Sequence, residues 1–257
     1  MSYTGGMEWF KNFYANDYFK YRYEPRLEEV PALEVDFIYD QGNLAAVHGR
    51  RPRVLDICCG IGRHARPLAA RDCEVVGVDL SEANIDAAAA RARDEGLADR
   101  CRFIRDDIRA FEPPGAFDLA INIFTSFGYF ESDAADAIVF AKAAASLRPG
   151  GRFILDVANR EAIIANCKPR ERRGRRGNYV IDETSIDLTT SRMTSHWTFV
   201  RGKERAEHTI RVRLYALHEL IRLGDAHGLT FTAAFGDFDA SPHTARSPRC
   251  IYVGTKG

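Results

Sequence analysis

The chain has 257 residues, 46% of them apolar, and its 36 basic side chains are balanced by 36 acidic ones. That is enough chain to bury one full core, so a single enzyme-sized domain is expected, and neutrality argues against a fold built mainly to track a polyanion. No run of about eighteen apolar residues marks a membrane span, and no basic amino terminus leads into a hydrophobic stretch, so neither a membrane anchor nor a signal peptide is expected and the cytosol is the expected compartment. Six cysteines (58, 59, 73, 101, 167 and 250) show no C-x-x-C spacing. They read as small apolar core residues, with no metal expected.

Eight aromatics lie between Trp9 and Tyr23, interleaved with Lys11, Lys20 and Arg22. Two readings stay open: an amphipathic helix packed on the core, or a lid that excludes water from a cationic cofactor. Residues 31–48 carry helical apolar spacing and predict a helix leading into a sheet.

The segment VLDICCGIGRH (54–64) is an apolar strand that ends in an acid and enters a two-glycine turn. Gly60 and Gly62 allow backbone angles closed to other residues and let main-chain N–H groups approach a ligand. The helical stretch GRHARPLAARD follows, then the strand EVVGVDL ending at Asp79, which completes a βαβ unit of the size a nucleotide-type cofactor site requires. Asp79 is placed to accept ribose hydroxyls. Asp107, at the end of the third strand RCRFIRDDI, is placed for the exocyclic amine of adenine. Dinucleotides and S-adenosylmethionine share this geometry, and Asp56 separates them. A carboxylate at the loop mouth repels a pyrophosphate but attracts a sulfonium and an ammonium.

Ser81 caps a helix over 81–95 that stops at Gly96. FDLAINIF reads as the fourth strand and RFILDVAN as the fifth, with the helix ESDAADAIVFAKAAASLRPGG between them. NYVIDETSIDLTT, SRMTSHWTFVRG and AEHTIRVRLYA are rich in β-branched residues and predict antiparallel strands. The helix LHELIRLGDAHG and the strands LTFTAAFGDF and RCIYVGTK close the sheet. KPRERRGRRG (168–177) holds six basic residues against one acid and reads as a solvated loop. An RNA contact or an anionic group of the substrate stands as the alternative for residues 168–176.

These motifs resemble the class I S-adenosylmethionine-dependent methyltransferases, through VLDICCGIGRH, EVVGVDLS, FIRDDI, FDLAINIFTSFGYF and LRPGGRFILDV, over roughly residues 50–158. Within that superfamily the chain is similar to small-molecule methyltransferases of natural-product pathways, including aminosugar N-methyltransferases, on its aromatic amino-terminal segment, FTSFGYF, SHW and RLYALHEL. The resemblance implies an α/β, doubly wound, mostly parallel seven-stranded Rossmann-like sheet with a small antiparallel insertion and an aromatic helical lid. Residues 1–30 are then the lid, 31–165 and 206–257 the core, and 166–205 the substrate-side insertion of one domain. It also implies Tyr18 and Tyr129 as the groups nearest the acceptor.

The expected cofactor contacts are Tyr14, Asp56, Cys58, Gly60, Gly62, Asp79, Leu80, Asp107, Ile108, Asn122 and Ile123, with Phe124 beside them. The expected substrate contacts are Tyr18, Phe127, Tyr129, His196, Trp197 and Tyr215. Methyl transfer to an amine needs alignment more than acid–base machinery, whereas a hydroxyl needs a general base, and His196 is the first candidate ahead of His208 and His218. The expected activity is therefore methyl transfer to a small molecule, an amine ahead of a hydroxyl. RNA or protein methylation, a non-catalytic cofactor-binding protein and a dinucleotide oxidoreductase are the rivals. A homodimer is left open, and nucleic acid and membrane partners are not expected.

Overall fold

The computed structural model describes residues 9–12 and 31–257. Helix α1 (Trp9–Asn12) is followed by α2 (Ala32–Gln41), β1 (Arg53–Ile57), α3 (Ala65–Ala70), β2 (Glu74–Asp79), α4 (Glu82–Asp94) and β3 (Cys101–Arg105). Then come β4 (Phe117–Asn122), α5 (Asp133–Ser146), β5 (Leu147–Ala158) and α6 (Arg160–Asn166). The remainder is β6 (Arg170–Arg175), β7 (Asn178–Asp187), β8 (Arg192–Arg201), β9 (Glu204–Arg213), α7 (Leu217–Ala226), β10 (Leu229–Phe235) and β11 (Arg249–Lys256).

Seven strands form one sheet in the order β10-β11-β5-β4-β1-β2-β3. Strands β5, β4, β1, β2 and β3 run parallel, and β11 and β10 close the edge antiparallel. The period-two alternation of each strand feeds two cores. Val54, Leu119 and Ile121 pack with α2 and α3 on one face. Leu55, Ile57, Ala120, Phe153 and Leu155 pack with α5 and α7 on the other, around Phe140 and Tyr252. Strand order reverses between β1 and β4, so the loops leaving those strands part and open a crevice at their carboxyl ends.

Local chemistry fixes the boundaries. Ser81 Oγ accepts from Asn84 N at 3.3 Å, and Ser132 Oγ accepts from Ala135 N at 3.2 Å, capping α4 and α5. The helix expected over 31–48 ends at Gln41. Gly42 lies so close to the core that a Cβ there would stand 2.7 Å from Leu119 Cδ2, and Asn43 takes a left-handed φ of 54°.

The second sheet has the order β6-β7-β8-β9, and it corrects one expectation. Residues 170–175 are a strand rather than a solvated loop, because the acids of β7 lie across from the arginines. Arg173 pairs with Asp182 at 2.7 Å, Arg170 with Glu183 at 3.6 Å, and Arg172 stacks 4.1 Å over Tyr179. The small sheet runs on past residue 205, since β9 pairs with β8 along its whole length to Arg213. Among the described residues no helix is long and apolar enough to cross a membrane.

Candidate active site

The crevice at the β1/β4 switch is a cavity of about 1160 Å³. Its floor is the turn after β1, where Cys58, Gly60 and Gly62 all have positive φ. The strained turn is held by Cys59 N donating to Val78 O at 3.0 Å and Gly62 N to Cys59 O at 3.0 Å. The two glycines do different work. A Cβ on Gly60 would meet nothing within 4 Å, so this face is open to the cavity, whereas a Cβ on Gly62 would stand 2.8 Å from the Phe103 ring and 3.2 Å from Ala88. Gly62, expected against cofactor, is therefore a core-packing glycine and does not line the cavity.

Asp56, Cys58, Gly60, Asp79, Leu80, Asp107 and Ile108 line one end of the cavity, with Ile123 and Phe124 from the end of β4. Asp79 Oδ2 accepts from Gly60 N at 2.9 Å and Oδ1 from Ser81 N at 2.9 Å. These bonds aim its carboxylate along the floor. Burial raises its pKa, against the pull of the Ser81 and Gly60 amides. Asp107 Oδ1 accepts from Arg109 N at 3.0 Å and Arg109 Nε at 2.9 Å, so this carboxylate is fixed by its own turn. Asp56 differs. Only 2% exposed, it has an Oδ2 with no hydrogen-bond partner, and burial, reinforced by the charge of Asp79, pushes its carboxyl up to about 8. A protonated acid in a cavity that also holds an unspent oxygen is a site short of a cation.

That shift has a pH signature. The folded chain keeps a proton on Asp56 that an unfolded chain loses near pH 4, so in the absence of ligand stability falls as the pH rises from about 4 to 8. Asp56→Asn removes this loss. Its stability, and with it its Tm, should exceed that of the wild-type protein by more at pH 8 than at pH 5, the gap widening by about 1.4 kcal/mol per pH unit at most between them. A constant gap in thermal melts at the two pH values would contradict the placement.

The opposite wall combines the turn after β4 with the small sheet. Phe127, Tyr129 and Phe130 come from the turn, and Met193, Trp197, Ile210 and Val212 from β8 and β9. Tyr129 packs 4.9 Å from Trp9 and 6.2 Å from Phe10, and Trp9 Nε1 donates to Arg211 O at 3.0 Å, tying α1 to β9. The turn is pinned from behind: Arg213 N donates to Gly128 O at 2.7 Å, Phe130 N to Asp136 Oδ1 at 3.1 Å, and Arg192 Nη1 to Phe130 O at 3.0 Å.

Several expected contacts lie elsewhere. Asn122 is fully buried and does not line the cavity, its Nδ2 donating to Ile57 O at 2.8 Å to tie β4 to β1. His196 is exposed, with Nδ1 2.9 Å from Thr209 Oγ1. Adjacent strand residues face opposite ways, so with Trp197 on the cavity His196 points away from it. His208 and His218 do not line it either. Tyr215 is a core residue, its ring tilted against that of Phe127 with centres 4.9 Å apart, and it donates its hydroxyl to Asp136 Oδ2 at 2.9 Å. Tyr14 and Tyr18 lie outside the described residues.

The cavity also holds groups the sequence did not single out: Arg63, His64, Thr125 and Arg249. Phe124 and Thr125 take positive φ values of 70° and 59°. Their amides are held by Asp156, whose Oδ2 accepts from Phe124 N at 2.8 Å and whose main-chain oxygen accepts from Thr125 N at 3.0 Å. No sequence pattern announces that turn, since neither residue type favours the left-handed region.

Residues 54–151 match the protein family described as a methyltransferase domain. The ubiquinone biosynthesis O-methyltransferase of Pseudomonas aeruginosa (strain LESB58) is 31% identical over 134 residues, covering 52% of this chain and 54% of that protein. The chain thus spans about half the length of the curated relatives it matches. Among solved structures, the CcbJ methyltransferase from Streptomyces caelestis superposes with a TM-score of 0.81 at 18% identity, over 96% of this chain and 99% of that one. CalS10 from Micromonospora echinaspora, an amino pentose methyltransferase solved with S-adenosylmethionine bound, superposes with a TM-score of 0.64 at 19% identity, over 91% and 95%. Residues 54–151 are thus similar to a methyltransferase domain, and the chain has the fold of the S-adenosylmethionine-dependent methyltransferases.

Proposed function

We propose that the chain transfers a methyl group from S-adenosylmethionine to a small-molecule acceptor, an amine ahead of a hydroxyl. The observation that carries this reading is the unspent carboxyl of Asp56 beside the open face of Gly60. Together they suit a cationic, phosphate-free ligand, whose positive charge favours the ionised form of Asp56, whereas a pyrophosphate would raise its carboxyl further and gains nothing from it. Asp56 and Gly60 would hold the amino-acid end, Asp79 the ribose hydroxyls, and Ile108, Ile123 and Leu80 the flat faces of the nucleoside. The cofactor supplies a methyl group on a sulfonium that is already a good leaving group. The protein's own part is to hold the acceptor in line and keep water out.

The acceptor side supports an amine. Among the described residues, the wall built from Tyr129, Phe130, Met193, Trp197, Ile210 and Val212 brings neither imidazole nor carboxylate to the cavity. His64 does line the cavity, but in the glycine loop, with Nε2 tied to Glu34 Oε2 at 3.0 Å. An amine held neutral by an apolar wall needs no base, while a hydroxyl does. In this reading the small sheet is the acceptor wall of a single domain, and Tyr129 orients the acceptor through its phenol.

Tyr129→Phe then removes one hydrogen bond and no proton transfer. It should lower kcat/KM by about 1–2 kcal/mol, roughly 5- to 30-fold, with cofactor affinity unchanged. A loss above about 100-fold would point instead to O-methylation with Tyr129 as base. Wild-type kinetics would remove Tyr129 from the acceptor site. The test of the function itself is methyl transfer from labelled S-adenosylmethionine to matched amine and hydroxyl acceptors bearing an apolar face. Cofactor binding without transfer to either series would reduce the protein to a binding module.

A further inference from the structure

Resting on the acceptor reading for what the wall binds, though not for how the wall is held, we propose that Asp136 is a positioning residue for the acceptor site: one buried carboxylate fixes both ends of the Phe127–Phe130 turn, and it does so only while ionised. Asp136 is fully buried and does not line the cavity. It stands in the first turn of α5, behind the residues that do. Its Oδ1 accepts from Phe130 N at 3.1 Å, and its Oδ2 accepts from the Tyr215 hydroxyl at 2.9 Å. The Tyr215 ring in turn lies 4.9 Å from that of Phe127. One oxygen therefore holds the far end of the turn directly, and the other holds the near end through an aromatic ring. Tyr129 is carried between them, 4.9 Å from Trp9.

The chemistry of the two bonds makes ionisation matter. A carboxylate accepts at both oxygens, whereas the neutral acid carries an O–H that is itself a donor. Both oxygens of Asp136 already face donors. With the proton on Oδ1, the Phe130 amide loses its acceptor. With the proton on Oδ2, the Tyr215 hydroxyl must turn to accept it, and among the described contacts its own hydrogen then has no acceptor, in a side chain only 3% exposed. Either way the turn loses one of its two ties.

The charged groups packed around Asp136 are bound to one another. Asp133, on the same helix, has its Oδ1 3.3 Å from Arg213 Nε and 3.5 Å from Arg192 Nη2. Arg192, from β8, also donates to Phe130 O at 3.0 Å. Arg213, from β9, pairs with Glu219 of α7 and lies 4.4 Å over the Tyr215 ring. In these surroundings burial pushes the Asp136 carboxyl up to about 6, with Asp133 adding to the rise and the Tyr215 and Phe130 bonds and the charge of Arg192 opposing it. An unfolded carboxyl titrates near 4, so the stability this residue gives the fold is full below about 4 and falls as the pH rises through about 6. The ionised form is unfavourable to the fold near neutrality, yet it is the form that makes both bonds to the turn.

The chain's two tryptophans both report on this wall, since Trp9 packs on Tyr129 and Trp197 lines the cavity. Trp197→Phe leaves Trp9 as the reporter and sets aside His208, which lies across from Trp197 on β9 and titrates in the same range. The experiment is tryptophan emission and acrylamide quenching of the full chain in that background from about pH 5 to 8, alone and with Asp136→Asn or Tyr215→Phe added. Without a second substitution, Trp9 should show one transition with its midpoint near pH 6, becoming more accessible as the pH falls. Asp136→Asn, neutral at every pH, should abolish the transition and hold the signal at its acid level. Tyr215→Phe keeps the ring and frees one oxygen for the proton, so it should abolish the transition with the signal at its neutral level. S-adenosylhomocysteine affinity by calorimetry should be the same in the three proteins, because Asp136 stands outside the cavity. Should Asp136→Asn fold poorly in thermal melts, the Tyr215→Phe result decides. No transition near pH 6 before the second substitution, or one that survives in either variant, overturns the inference. Binding of S-adenosylhomocysteine to none of the three would overturn the methyl-transfer reading, while a transition lost in both variants would still establish Asp136 as the residue that sets the turn.

Discussion

Asp79→Asn is expected to weaken S-adenosylhomocysteine binding by about 1.5–3 kcal/mol, roughly 10- to 150-fold, as expected when a charged acceptor loses hydroxyl donors in a partly dry site. Asparagine keeps the volume and one acceptor oxygen, so the floor of the cavity should survive. What it loses is a carboxylate that Gly60 N and Ser81 N already hold at 2.9 Å each, and with it the charge that draws further donors. Because burial disfavours that charge in the free protein, thermal stability without ligand should hold or rise slightly. Calorimetry and melts on the same preparation separate the two effects. Unchanged affinity would place the ribose elsewhere.

Gly128→Ala should be the most disruptive single-methyl change near the acceptor wall. Gly128 has φ +85°, and a Cβ there would stand 2.3 Å from Arg213 O and 3.3 Å from its carbonyl carbon. Those are backbone atoms of a paired strand, held in place by Arg213 N donating to Gly128 O, so they cannot rotate aside. Left-handed strain and the clash together should cost about 3 kcal/mol or more, lowering Tm by roughly 6–12 °C in a chain of this size. Relief of the clash would shift the Phe127–Phe130 turn, so acceptor KM should rise in whatever protein remains folded. A Gly128→Ala variant with wild-type Tm would mean that the junction of the two sheets is looser than the hydrogen bonds across it indicate.

The succession of the strands along the chain and the acids at their carboxyl ends could be read from the sequence because both follow from local patterning: apolar runs ending in Asp56, Asp79 and Asp107, punctuated by glycine turns. Division of labour between Gly60 and Gly62 could not, because it depends on Phe103, some forty positions later in the chain. His196 and Trp197 were both expected to face substrate, although adjacent residues of a strand cannot share a face. The spacing of Met193, Trp197 and Phe199 carried the correct alternation. Tyr215 stands just past the end of β9, where the chain turns into the core, and only the buried Asp136 explains its position. The basic run 168–177 hid a strand because its arginines are read singly in sequence, while their acidic partners lie across a hairpin. Arg63 carries no signal in the sequence that sets it apart from other arginines. Its isolation from acceptors is a three-dimensional fact.

The most direct measurement is a pair of titrations of the wild-type chain at neutral pH, one with S-adenosylhomocysteine and one with a nicotinamide dinucleotide. A single saturable site per chain for S-adenosylhomocysteine, lost or much weakened in Asp79→Asn, with no binding of the dinucleotide, is the expected result. Tight binding of the dinucleotide, or no binding of S-adenosylhomocysteine, would contradict the assignment of this cavity.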